Sequence, residues 1–254
     1  MRPRVRPVTA FGTLVATILV LSSGVAWADR VILADGFENA TSVESLLQPG
    51  RWSYIQQENR GTTVDLSAEH VHSGAQALRV FGHPPGPELT KADIATNDVL
   101  FLVGQTLEVE AWFYFDDAAD LNDMTLIDAE CSCVGGFGAG ARVWLENGYP
   151  VIERGELGAV NTDSISFFKT MQQNRVKAPL RQWFSIRYRL KLGLGVLGHA
   201  HLWVNGTKVI DRSGTTVFLG VGFVDNIQVG LTANASTADA TLFVDDVTIR
   251  RITS

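Results

Sequence analysis

Leu107-Glu108-Val109-Glu110-Ala111-Trp112-Phe113-Tyr114-Phe115 alternates apolar and polar without a break. In an extended chain successive side chains point to opposite faces, so Leu107, Val109, Ala111, Phe113 and Phe115 share one side and Glu108, Glu110, Trp112 and Tyr114 the other. A helix would smear both sets round its circumference; this stretch is therefore a strand with one face in a core. The same period recurs on either side of it. Ala141, Val143 and Leu145 alternate with Arg142, Trp144 and Glu146; Asn147-Gly148 then supplies the positive-φ pair of a tight hairpin, with a return strand from about Tyr149 to Arg154. Ile186, Tyr188 and Leu190 alternate with Arg187, Arg189 and Lys191. Ala200, Leu202 and Val204 alternate with His199, His201 and Trp203, and Asn205-Gly206 turns the chain into Lys208-Val209-Ile210. Ile227, Val229 and Leu231 precede a last strand over about residues 240–250. Such a chain predicts an all-β, two-sheet antiparallel sandwich.

The N-terminus differs from the rest. Arg2, Arg4 and Arg6 precede an apolar run from about Val8 to Val25, and Ala26-Trp27-Ala28 offers small residues for cleavage, so residues 1–28 read as a signal peptide of a secreted protein. No second long apolar stretch follows, and no membrane span is expected after cleavage. Residues 29–254 then form a single domain, a length that suits one large sandwich. Loss of the three arginines moves the formal charge from −6 to −9. An acidic surface argues against nucleic acid as a partner, since phosphate is neutralised by clustered Lys and Arg. Both cysteines sit in Cys131-Ser132-Cys133, too few for a disulfide scaffold; free thiols and a tight bridge both stay open. Asn161 to Lys177 shows no period and reads as a long excursion, and the acidic stretch 116–123 reads as a solvated turn.

Three short motifs carry a resemblance. Asp35-Gly36-Phe37-Glu38, then His72-Ser73-Gly74-Ala75-Gln76-Ala77-Leu78-Arg79-Val80, then Phe243-Val244-Asp245-Asp246-Val247-Thr248-Ile249, in that order with the Trp183-led strand between, resemble the concanavalin A-like and laminin-G-like jelly rolls of secreted bacterial proteins. The end motifs also look like those of jelly-roll carbohydrate-binding modules. The likeness spans most of the chain after residue 28, and it predicts fold far better than activity. It implies a structural calcium held by Glu38 and Asp245, with backbone carbonyls completing the oxygen shell that calcium requires.

If every apolar face turns into one core, the opposite faces gather Glu108, Glu110, Trp112, Tyr114, Arg142, Trp144, Glu146, Arg187, Arg189, His199, His201 and Trp203, and parity could add Asp128 and Glu130. Aromatic rings among carboxylates, guanidinium and imidazole suit sugars, whose C–H faces stack on rings while their hydroxyls bond to charged groups. The expected ligand set is Glu108, Glu110, Trp112, Tyr114, Arg142, Trp144, Arg187, Arg189, His201 and Trp203, on a concave sheet that binds a polysaccharide without cleaving it. The enzymatic alternative is a lyase acting on a uronate-containing glycan through Arg187, His199, His201 and Tyr114, since β-elimination needs a carboxylate neutraliser and a base. A third possibility is a structural or adhesive surface protein. The Glu-x-Asp-x-Glu strand motif of jelly-roll glucanases is absent, because Leu126 precedes Asp128-Ala129-Glu130.

Overall fold

The computed structural model describes residues 29–58, 61–86, 89–118, 121–132, 138–157, 165–217 and 222–253. The expected signal peptide and Cys133 lie outside the described residues; Cys131 is disulfide-bonded. In chain order the strands are β1 (Arg30–Asp35), β2 (Tyr54–Glu58), β3 (Thr63–Ser67), β4 (Ala77–Gly82), β5 (Thr90–Thr96), β6 (Phe101–Leu102), β7 (Thr106–Ala118), β8 (Met124–Cys131), β9 (Gly138–Glu146), β10 (Tyr149–Leu157), β11 (Ile165–Thr170), β12 (Phe184–Lys191), β13 (His199–Val204), β14 (Thr207–Ser213), β15 (Phe223–Val224), β16 (Asn226–Asn234) and β17 (Ala240–Ile252).

Two antiparallel sheets make the sandwich. One runs β14-β13-β12-β7-β17-β4-β3, with β1 also on β17; the other runs β11-β10-β9-β8-β16-β5-β2. The alternating apolar sets close one core between them: Leu107, Val109, Ala111, Phe113 and Phe115 from β7 meet Ile127 and Ala129 from β8, Val143 from β9 and Ile227 and Val229 from β16. Removing such side chains from water, at about 25 cal/mol per Å² of apolar surface, is the main force holding the sheets together. The two Asn-Gly turns form as expected, with φ of 53° and 80° at Asn147-Gly148 and 49° and 74° at Asn205-Gly206, values that match the right-handed twist of a hairpin.

Two expectations need correction. Part of the supposed excursion 161–177 is strand β11, whose Ile165–Thr170 pairs with Leu157–Ile152 at a sheet edge. The stretch 116–123 is not all turn, since β7 continues through Asp116 and Asp117 to Ala118.

The chain ends lie side by side. β1 pairs with β17, Ala34 opposite Thr248 and Asp35 opposite Val247, and the register of β17 against β7 slips between Asp245 and Thr248. Asp246 takes the slip at φ 48°, a left-handed conformation that Asp tolerates better than most residues. Among the described residues no helix is long and apolar enough to cross a membrane.

Candidate functional site: two outward sheet faces

The outward side chains of the eight-stranded sheet form rows set by register. Thr248, Glu110, Arg187, Trp203 and Lys208 make one row; Arg250, Glu108, Arg189, His201 and Asp211 the next; Ile252, Thr106, Lys191, His199 and Ser213 the third. Beside the first row lies a groove of about 480 Å³ lined by Glu110, Trp112, Gln182, Trp183, Ser185, Arg187, Trp203, Asn205 and Gly206. A second hollow of about 200 Å³ lies over Thr106, Arg189, Lys191, His199, His201 and Ile252.

Glu108 is the hub of the second row. Its carboxylate accepts from Arg189 at 2.6 Å and from Arg250 at 3.2 Å. Trp203 carries three cations over its ring, Arg187 at 4.4 Å and Arg189 and Lys208 each at 5.4 Å. His201 pairs with Asp211 at 3.1 Å. Burial outweighs that carboxylate and holds the imidazole below its usual pKa. Trp112 stacks on His72 at 3.8 Å, and Tyr114 on His70 at 4.2 Å.

The expected ten-residue surface is not one surface. Glu108, Glu110, Trp112, Tyr114, Arg187, Arg189, His201 and Trp203 belong to the eight-stranded sheet, whereas Arg142 and Trp144 stand on β9 of the other sheet and face the opposite way. Within the first group, Glu110, Trp112, Arg187 and Trp203 reach the groove, Arg189 and His201 the second hollow, and Tyr114 packs against His70. Nor does the lyase set converge. His201 is level with Glu108, six residues along β7 from Tyr114, a separation of about 20 Å at about 3.3 Å per residue. Trp183, absent from the expected set, lines the groove; its parity with Ser185 and Arg187 is the sequence signal for it.

The seven-stranded sheet shows a different outward face. Gln228, Asp128, Arg142 and Glu153 form a cross-strand row, with Asn226 opposite Glu130 and Asp93 opposite Gly230. All are buried. Gly230 has φ 137°, and a Cβ there would stand 2.8 Å from the Ala92 carbonyl oxygen, so glycine lets β16 lie close against β5 at this point. Arg142 pairs with Glu153 at 2.6 Å. Gln228 donates to Glu130 Oε2 at 2.7 Å, and Asn226 Nδ2 donates to the Tyr54 hydroxyl at 2.7 Å. Burial, then the neighbouring Asp128 charge, pushes Glu130 up to about 9; burial also raises Asp128 and lifts Asp93 well above the usual carboxylate range. Tyr54 is pushed up to about 12, chiefly by burial.

Glu38 and Asp245 grip one loop from two sides. Glu38 accepts N–H bonds from Ala75 at 2.8 Å and Gln76 at 3.2 Å, while Asp245 Oδ2 accepts from His72 at 2.9 Å and Ser73 at 3.1 Å. Asp246 reaches the Ser73 hydroxyl at 2.8 Å and the His72 ring at 2.7 Å. Gly74, at φ 70°, is required here because a Cβ would collide with the Glu38 carboxylate. These partners include no Lys or Arg; each Glu38 oxygen accepts one N–H and keeps a lone pair, whereas Asp245 Oδ2 already accepts two and its Oδ1 accepts from the Asp246 N–H. Among the described residues, the one Asp/Glu/His/Cys trio with ligand atoms all within 4.8 Å of each other is Glu69, His70 and Asp116, elsewhere on the surface.

No family model and no curated protein matches this sequence. Solved structures do. An endo-β-1,4-glucuronan lyase from the fungus Trichoderma reesei superposes with a TM-score of 0.64 at 16% identity, covering 78% of this chain and 90% of that one. The fold is a concanavalin A-like jelly roll. The cellulose-induced protein Cip1 gives a TM-score of 0.57 at 19% identity over 85% of this chain and 95% of that one. The alginate lyase Aly36B gives 0.54 at 13% identity over 87% and 98%. At these identities the likeness speaks for the jelly roll and not for its chemistry.

Proposed function

We propose that this chain is a secreted glycan-binding protein that holds a polysaccharide noncovalently on the outward face of its eight-stranded sheet. The observation that carries this reading is the groove of about 480 Å³ in which Trp112, Trp183 and Trp203 stand beside Glu110 and Arg187. Its volume falls within the range of about 300–1,000 Å³ usual for ligand sites. Indole faces stack on sugar C–H faces, and Gln182, Asn205, Glu110 and Arg187 each offer partners for hydroxyls. The jelly rolls that resemble this chain include a glucuronan lyase and an alginate lyase by name, proteins that act on polysaccharides. Titration of the purified chain with a panel of soluble polysaccharides tests the reading. Binding that weakens at least about tenfold in Trp183→Ala, the loss expected for one stacked aromatic, supports it; a panel without a single binder ends it.

A second reading, a lyase acting on a uronate-containing glycan, draws support from the other face, where Glu130 holds a proton up to about pH 9 next to Asp128. Such a group can hand a proton to a leaving oxygen at neutral pH. Unsaturated-uronate absorbance rising steadily on glucuronan or alginate, and lost in Glu130→Gln, would replace the first reading with this one.

A calcium ion at Glu38, Asp245 and Asp246 is a separate proposal, supported by three carboxylates, one just after β1 and two in β17, that hold the loop 72–76. The ion would tie both chain ends to residues 72–76. Chelation should lower the melting midpoint, because a ligand of the native state alone stabilises it; an unchanged midpoint removes the ion.

A further inference from the structure

We propose that Arg187 is the anion-reading residue of the Trp112–Trp183–Trp203 groove, so that the glycan bound there carries a carboxylate or a sulfate. This rests on the glycan reading above and narrows it to an acidic sugar.

Register sets Arg187 directly across from Glu110. The expected pair does not form, because the Glu110 carboxylate is turned to the far side, where Arg250 meets it at 3.1 Å. The next acid, Glu108, is shared by Arg189 and Arg250, and Asp211 is shared by Lys208 and His201. Among the described residues Arg187 is therefore left without a carboxylate, although three acids stand in its own row or the next. Its Nε is shut off from solvent and has no acceptor. A ligand oxygen cannot reach that closed Nε; it would meet the terminal nitrogens of the guanidinium, which no carboxylate of the described residues occupies.

The setting selects the kind of acceptor. The guanidinium carbon lies 4.4 Å from the centre of the Trp203 ring, a cation–π contact that limits its freedom. A planar fork held in this way suits the paired oxygens of a carboxylate or sulfate better than a lone hydroxyl. Trp183, in the lining of the same groove, supplies a face for the sugar ring that bears the anion, beside a Trp112 already stacked on His72. The chain as a whole is acidic, so it repels such a polymer at long range, and ionic screening within about 8 Å at physiological salt leaves the contact at Arg187 to decide.

Calorimetry on three ligands of equal length tests this: β-1,4-linked oligoglucuronate, the same oligomer after carboxyl reduction, and a sulfated glucan. The wild-type chain should bind at least one charged oligomer about tenfold or more tighter than the reduced one, as expected for hydrogen bonds to an ionised group. Arg187→Gln should erase that preference, lowering affinity for the charged oligomers about tenfold more than for the reduced one, while leaving the melting midpoint unchanged. Trp183→Ala should weaken all arms alike. The tighter of the two charged arms assigns the anion to carboxylate or sulfate. Equal wild-type affinity for charged and reduced oligomers, still lost in Trp183→Ala, overturns the acidic-sugar inference and leaves glycan binding standing. Absence of binding in every arm overturns both.

Discussion

On the eight-stranded sheet Arg189 and Arg250, each about a third exposed, share a Glu108 whose own side chain is 5% exposed, whereas on the seven-stranded sheet both members of the Arg142–Glu153 pair are buried, at 10% and 4%. The residue types match and the physics does not. Where water reaches the ends of the side chains, charges can be shared, screened or left for a ligand. Where it does not, each charge depends on its partner, and acids without one keep their protons: Glu130 and Asp93 are raised chiefly by burial. The first face can therefore serve as a recognition surface with little cost to the fold, while the second is bound up with stability and proton occupancy.

The largest expected effect that would break this contrast is on Arg142. Arg142→Ala strands Glu153 in a buried position and should cost about 3–5 kcal/mol in urea denaturation; a loss below about 1 kcal/mol would mean that water reaches that face after all. The next effect is on pH. Glu130 has its ordinary value of 4.5 when unfolded and about 9 when folded, so between those values the native state binds the extra proton and stability falls as pH rises. The decline is at most about 1.4 kcal/mol per pH unit for one group. Stability curves from pH 5 to pH 9 should slope downward, and less steeply in Glu130→Gln, where Asp93 and Asp128 still contribute; an upward slope contradicts the assignment. The smallest effect belongs to Arg189→Ala, expected at about 1 kcal/mol or less because Arg250 still meets Glu108. A much larger loss would place the eight-stranded face in the same class as its counterpart.

Much of this molecule was legible locally. The period of Leu107 to Phe115 and the two Asn-Gly turns follow from side-chain alternation and turn stereochemistry, and they appear in the structure. Trp183 was missed, although its parity with Arg187 carries the signal. Burial of the acids was not legible. Asp128 and Glu130 alternate like any solvent-facing pair, and only their packing beside Gln228, Asn226 and Arg142 turns them into proton-holding groups.

By itself the sequence determined which residues of each strand face the core and which face away, because that choice is made between nearest neighbours on one backbone. Tertiary structure alone decided which sheet each strand joined: β9 pairs with β8 and β10, and β12 with β7 and β13. Parity is a local property, whereas sheet membership is settled by hydrogen bonding between segments far apart in the chain. For that reason Arg142 and Trp144, which share their alternation with Arg187 and Trp203, ended on the opposite side of the molecule.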